Sequence, residues 1–498
     1  MTKLPDHICI VGGGTAGWLA ALMLQDTAKR SGQTPRLTVV ESSKIGTIGV
    51  GEGTTAVFRQ MLQHLGIDEL AFIRETGATI KFGIRHQDWR TVGHCYDGPI
   101  DDIAQIAGHG LDDYAVASGR SVTDAHLFQY LIKRNRSPFA QKGDHFVPAG
   151  PYHHAYHFDQ ARAGQFLRAQ AGDVAVIDNQ VIGVNTGTVG ITGLVLESGQ
   201  TVEADFFLDC TGFRRALIGS LGADWVSYAD VLPVNRAMPF WIDISEDEEI
   251  PPVTLAHAQR AGWMWKVPTQ ERYGCGYVYS DAHITPDQAK AEIEETLGHP
   301  IEPRNDIKIN AGRLAAPWVG NCVAIGLASS FLEPLEATSI HGTIVQLMWL
   351  SQMIGTPKGP SRYNKAHVQQ VDDFRDFIRF HYVSERRDSP FWSDVAANHP
   401  QKITERLTQW RSALPKRADF PFVPMDVPHV QEQLYTPVLD GLGLFDRETI
   451  KAKLSTNPKR RAQLRKTHAT LLSEYARAAG RCIPHRAFLN SLKQEAVS

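Results

Sequence analysis

The spacing of apolar and polar positions changes several times along the chain, and each change predicts a change of element. The run "HICIV" from His7 is short, continuous and closed by three glycines, the pattern of a buried strand. "AGWLAALMLQDTAKR" from Ala16 reads as an alanine- and leucine-rich helix, and "LTVVE", ending at Glu41, as a second strand. "HFDQARAGQFLRAQA" predicts a helix capped by Asp159. Beyond it, "GDVAVI", "GLVLESGQTVEADFFLDCTG" and the run from Val226 to Ile244 predict strands, so most of the β content is expected between about residues 170 and 280. In that region "GWMWKVP" sets Trp263 and Trp265 two residues apart, which puts both on one face of a strand. "RYGCGYVYS", from Arg272, is expected as its hairpin partner. From about residue 340 the period turns helical. The proline-rich stretch from Leu414 to His429 interrupts that region, and a basic helical segment follows.

A chain of 498 residues suggests two or three lobes around a substantial core. With 51 basic against 54 acidic residues there is no global field to attract nucleic acid or a charged membrane surface. The amino terminus lacks a basic head and apolar signal core, and no apolar run approaches the roughly 20 residues that cross a bilayer. A soluble, cytoplasmic protein is expected. Six cysteines without C-x-x-C spacing are expected as free thiols.

The glycines Gly12, Gly14 and Gly17 follow a strand and open a helix, and the next strand ends in Glu41, the context a dinucleotide site requires. Glycine permits the tight turn and close approach of backbone to a pyrophosphate, and the helix amino end, at Thr15 and Ala16, attracts phosphate. Glu41 is placed to accept from ribose hydroxyls. This pattern leaves FAD and NAD open. "DFFLDCTGFRR" favours FAD, because in two-dinucleotide flavoproteins a strand ending in an acid and a glycine, here Asp209 and Gly212, returns to the nucleotide domain after a β-rich excursion. The fold class is therefore α/β (α+β): a Rossmann-type FAD-binding domain of the two-dinucleotide kind, with an inserted β-rich substrate region and a helical carboxyl-terminal part. The glycine-rich "SSKIGTIGVGEGTTAV" is a candidate strap along the flavin.

With "GGGTAGW", "IGVGEGT", "KFGIRHQDW", "GWMWKVP" and "GLASSFLEPLEATSIHGTI" in this order, the chain resembles the flavin-dependent tryptophan halogenases over about residues 7 to 350. The resemblance implies regioselective electrophilic halogenation of an indole or other electron-rich aromatic, using FADH2, oxygen and bromide or chloride by way of hypohalous acid. It implies catalytic roles for Lys81 and Glu336, halide binding at the amides of Thr338 and Ser339, and Trp263 and Trp265 near the flavin as a barrier to substrate. Val50, Leu327 and Ile340 would join the glycine loop against the cofactor. Lys81 is read on one face of a strand-like run with Thr79 and Gly83; its ammonium would hold hypohalous acid, or its amine would carry the halogen. Glu336 would stabilise and deprotonate the ring cation. A departure is Ala337, where the family usually has serine.

The domain expectation is a FAD-binding halogenase module over 1–365, with substrate-side β-rich regions at about 80–160 and 220–310, and a mostly helical substrate-covering region over 366–498. One dinucleotide fingerprint implies a separate NAD(P)H-dependent flavin reductase as partner, and homodimer formation is left open. His153, His154 and His157 have no acidic or cysteine partner at ligand spacing, so no metal is expected. Where tryptophan-specific members carry a histidine and a phenylalanine that sandwich indole, this chain has Asp97 and Pro99, and its carboxyl-terminal region, with "AFLNSLK" and the proline-rich segment, lacks the paired tyrosines that hold the amino-acid head group in those members, so free tryptophan is expected to be a poor substrate. A flavin monooxygenase and a non-catalytic flavin-binding protein are the alternatives. Binding alone requires neither the lysine, the glutamate nor the paired tryptophans.

Overall fold

A computed structural model describes residues 3–46, 49, 51–100, 110–143, 145–150, 152–420 and 432–495. The strand His7–Val11 is buried along its whole length, so it needs a partner on each edge and cover on each face. It pairs in parallel with Arg36–Glu41 on one side and Phe206–Asp209 on the other. The six-stranded sheet extends through Ala175–Asp178 beyond the first neighbour and through Cys322–Ala324 and Trp318–Val319 beyond the second. The helix Thr15–Ser31 starts at the carboxyl end of His7–Val11, buries Trp18, Leu19 and Leu22, and stops at Gly32, whose φ of 66° suits glycine. Strand ends and a helix amino end thus meet at one crevice. The helix expected after Asp159 is Gln160–Gln170, with the Asp159 carboxylate accepting from the amides of Ala161 and Arg162.

The second sheet has seven strands, in the order Ile307–Lys308, Arg236–Asp243, Arg272–Tyr279, Gly262–Pro268, Val253–Ala258, Gly83–Gln87 and Cys95–Pro99. The tryptophan hairpin forms as expected, with Gly262–Pro268 antiparallel to Arg272–Tyr279. Two expectations are corrected. The run from Val226 to Ile244 is not continuous: Trp225–Ser227 joins a small separate sheet, and a turn closed by the Leu232 amide on the Tyr228 carbonyl precedes Arg236–Asp243. Nor do Thr79, Lys81 and Gly83 share one strand. Thr79–Lys81 pairs with Ala155–Phe158, Gly83–Gln87 pairs with Val253–Ala258, and the Phe82 amide between them bonds the Pro252 carbonyl. Lys81 therefore stands at the joint between two sheets.

Helices dominate the remainder, and the residue 365 boundary falls inside the helix Gly359–His381. Phe374, Phe377 and Phe380 of that helix share a core with Trp263, Trp265, Trp392 and Tyr435. The carboxyl-terminal helices thus pack on the tryptophan hairpin. Residues 421–431 of the proline-rich stretch lie outside the described residues. All six cysteines are free thiols. Among the described residues no helix is long and apolar enough to cross a membrane.

Candidate active site

A cavity of ≈ 710 Å³ begins at the glycine turn and reaches Lys81. Its first end is shaped by backbone. Gly12 has φ +116°, and a Cβ there would lie 2.3 Å from the Cys210 carbonyl oxygen, while a Cβ at Gly17 would lie 1.8 Å from the Gly12 carbonyl oxygen. Those two glycines are needed for the turn and for seating the helix. Gly14 differs: it lines the cavity, and nothing stands within 4 Å of a Cβ built on it. That clearance is what a pyrophosphate would occupy. Thr15, Ala16, Glu41, Leu327 and Ile340 line the same cavity, whereas Gly17 is not at its wall and Val50 lies outside the described residues. Glu41 already pairs with Arg168 at 2.5 Å, so a ribose would share its carboxylate with a guanidinium. Asp209 is not at the cavity wall. Its carboxylate accepts from the Thr211 hydroxyl and from the amides of Thr211, Leu217 and Ile218, which holds the return turn closed.

At the other end Lys81 is 1% exposed, and a Cβ at Gly53 would stand 3.1 Å from its Nζ. Burial lowers the lysine to about 8, with Glu336 and Glu52 acting in the opposite sense. Glu52, also at the cavity wall, is pushed up to about 7 by burial, with Lys81 pulling it back. Trp265 lines the cavity beside them. Trp263 does not: it lies behind, 6.4 Å from Trp265 between ring centres, and its indole N–H donates to Glu333 at 2.6 Å. The two tryptophans thus divide their work, one facing the cavity and the other anchoring the strand.

Glu333 is fully buried and also accepts from the Tyr382 hydroxyl at 2.6 Å. Burial raises it to about 7 against those two hydrogen bonds. Glu336 ends a tight turn, and Ala337 follows with φ 53°, a left-handed conformation that costs a non-glycine residue about 1–3 kcal/mol. The helix begins at Thr338, two residues earlier than expected, and runs to Met353. Ser339 and Ile340 of its first turn line the main cavity, and Thr338 faces a small adjoining one of ≈ 20 Å³.

Glu336 is not at the cavity wall itself. It sits among imidazoles, with His381 Nε2 at 2.8 Å and His86 Nε2 at 3.5 Å from its Oε1. Burial alone would raise this carboxyl, but the hydrogen bond to His381 and the nearby His86 ring outweigh it and hold it down at about 2. His86, Glu336 and His381 also form the one group with metal-ligand composition among the described residues, their donor atoms within 4.8 Å of one another. Sequence reading missed Glu52, His86 and His381. Glu52 lies in the glycine strap and His86 in the lysine segment, where each was legible; His381 has no local signal and reaches the site only through the long helix.

A mostly parallel sheet whose glycine turn opens into a cavity ending at a buried lysine has the form of a dinucleotide-binding fold with a site beyond its strand ends. The chain belongs to the tryptophan halogenase family, whose model matches residues 7–449. It is similar to the 7-chloro-L-tryptophan 6-halogenase KtzR of Kutzneria sp. (strain 744), 33% identical over 514 residues that cover 95% of this chain and 99% of the relative. Its fold is similar to the crystal structure of the tryptophan 6-halogenase SttH from Streptomyces toxytricini, with TM-score 0.87, 30% identity, and coverage of 98% of this chain and 100% of the other. It is similar also to Tar14, a tryptophan C-6 flavin-dependent halogenase from taromycin biosynthesis, with TM-score 0.89, 29% identity, and coverage of 98% and 100%. The protein is a flavin-dependent halogenase, an enzyme that places halogen on an aromatic ring with regioselectivity.

Proposed function

We propose that the enzyme binds FADH2 along the glycine turn and halogenates an electron-rich aromatic at the Lys81 end, with Lys81 and Glu336 as its catalytic groups. The continuity of one ≈ 710 Å³ cavity from Gly14 to Lys81 carries this reading, because it joins the place where an oxidant is made to the group that would receive it. Gly12, Gly14, Thr15, Ala16 and Glu41 would hold the dinucleotide, and Leu327 and Ile340 would pack against it. Bound there, reduced FAD would activate oxygen by giving it electrons, and the oxygen would supply the oxidising equivalents that convert halide to hypohalous acid.

The chain's own groups do the rest. The amides of Thr338 and Ser339, at the amino end of a 16-residue helix, attract the halide. Trp265, in the wall of the cavity, would keep a bulky aromatic from the cofactor. At neutral pH Lys81, lowered only to about 8, is mainly ammonium, which favours a hydrogen bond to hypohalous acid over a haloamine as its resting role. The ring carbon forms a bond to halogen as the halogen–oxygen bond breaks, and the departing hydroxide takes a proton from the ammonium. Glu336 stabilises the ring cation and removes its proton.

Asp97 supports a substrate held otherwise than by the indole sandwich of the tryptophan-specific members. Its carboxylate is held by Arg85 at 2.8 and 3.1 Å and by Gln129 at 2.9 Å, so it offers neither an imidazole face nor a free acceptor for an ammonium. We propose indole or a larger aromatic as the substrate class, a separate NAD(P)H-dependent flavin reductase as partner, and a cytoplasmic location. Mass spectrometry of indoles and phenols incubated with reductase, FAD, oxygen and either bromide or chloride tests the reading. A halogen isotope doublet on product is expected; hydroxylated product in its place would support a monooxygenase.

A further inference from the structure

We infer that His381 is the positioning residue of the halogenation glutamate: its imidazole, fixed to the end of the helix Gly359–His381, orients the Glu336 carboxylate and keeps it negative while the aromatic ring becomes cationic. This rests on the assignment of Glu336 above.

His381 is fully buried and both ring nitrogens are engaged. Nδ1 is 3.0 Å from the Phe377 carbonyl oxygen one turn back in the same helix, and Nε2 is 2.8 Å from Glu336 Oε1. A carbonyl and an ionised carboxylate only accept. The Phe377 carbonyl fixes hydrogen on Nδ1, which turns Nε2 squarely onto the carboxylate oxygen. The last turn of a helix also presents unpaired carbonyls and the negative end of the dipole, which suit a donor there. The nearby Arg379 does not take this part: its guanidinium donates to the carbonyls of Val395 and Asn398 at 2.9 and 3.0 Å.

The ring cannot follow a moving partner. Phe377 packs against it at 5.0 Å, His86 at 5.1 Å and Trp89 at 6.1 Å between ring centres. His86 closes the other side of the same oxygen at 3.5 Å, stacked on Tyr96 at 4.7 Å, and neither of its nitrogens has a hydrogen-bond partner of good geometry. Both imidazoles thus address Oε1, and the ring proton is assigned to Oε2. In that step the carbon–hydrogen bonding pair returns to the ring and the proton passes to the carboxylate, with nothing oxidised.

The test compares wild type, E336Q, H381F and H381Q, each loaded with FAD and supplied with flavin reductase, oxygen, bromide and indole, with a hypohalite-trapping dye in parallel and metal analysis of the wild type. H381F is expected to lose about 10- to 100-fold in kcat, with KM, FAD affinity and trapped hypohalous acid close to wild type. H381Q, whose carboxamide N–H reaches the position of Nε2, is expected to recover most of that loss. Wild-type kcat in H381F beside an inactive E336Q overturns the positioning role. Equal losses in H381F and H381Q with weakened FAD binding also overturn it, by showing structural support only. So does a full equivalent of transition metal in the wild type. An active E336Q overturns the glutamate assignment itself, and the inference with it.

Discussion

Trp265 lies across the backbone of Gly276: the two are direct partners in the hairpin, and a Cβ at Gly276 would stand 2.0 Å from the indole. The bare glycine lets the ring lie flat over the neighbouring strand, so that it walls the cavity without filling it.

Gly276→Ala therefore pushes the indole out of place. A stability loss of about 1–3 kcal/mol is expected, with weaker FAD binding. Thermal melts and flavin titration check it, and wild-type values in both would show that the ring has room to shift.

Gly14→Val directs a branched side chain into the space now clear for a pyrophosphate. FAD affinity is expected to fall on the order of 10²-fold or more, as a lost close backbone approach removes several hydrogen bonds at once. Because nothing stands within 4 Å of the new Cβ, the melting temperature of the flavin-free protein is expected to hold. Undiminished affinity by calorimetry would refute the cofactor assignment.

Lys81→Ala is expected to leave FAD binding and hypohalous acid formation intact while removing ring halogenation. In the wild type the lysine, lowered to about 8 by burial, loses its proton as pH rises through that value. If the ammonium is the working form, product formed per hypohalous acid trapped falls above pH ~8. A yield that rises through the same range would assign the amine, and with it a haloamine.

Glu333 has the opposite kind of shift, raised by burial to about 7. Between the unfolded value of about 4.3 and that folded value, the folded state binds a proton the unfolded state does not, so its contribution to stability is lost as pH rises through this window, by up to about 1.4 kcal/mol per pH unit. Glu333→Gln is expected to flatten the melting temperature over pH 5–7 (~4.3 to about 7 bounds the window). Glu52 titrates in the same range but stays in both proteins, so the difference between the two curves isolates Glu333. An unchanged slope would show that Glu333 is ionised beside Trp263 and Tyr382.

A site without a tryptophan head-group clamp is expected to prefer indole over L-tryptophan in kcat/KM at equal halide, by about tenfold or more if a single charge-assisted contact is missing. A preference for tryptophan would mean that other residues of this chain supply the head-group clamp.

The local elements were legible because their causes are local. The strand, glycine turn and helix from His7 to Ser31, the Asp159 cap and the tryptophan hairpin follow from periodicity, capping and turn chemistry within short windows. Lys81, Glu336, Trp265 and the glycines could be singled out by motif. The run from Thr79 to Gly83 misled, because its alternation is the same whether its residues share a strand or pass between sheets; only the bonds of Phe82 and Ala155–Phe158 decide.

By itself the sequence determined the parallel nucleotide-binding core, the order of the motifs and the residue types available for halogenation, since propensity and spacing act between near neighbours. Tertiary structure alone decided that Trp263 anchors Glu333 while Trp265 walls the cavity, that Arg85 and Gln129 occupy Asp97, and that His381 meets Glu336. Each of those contacts joins distant stretches of chain. The hydrogen bonds that set the charge of a buried carboxylate come from whatever folding packs beside it, and no spacing along the sequence encodes that distance.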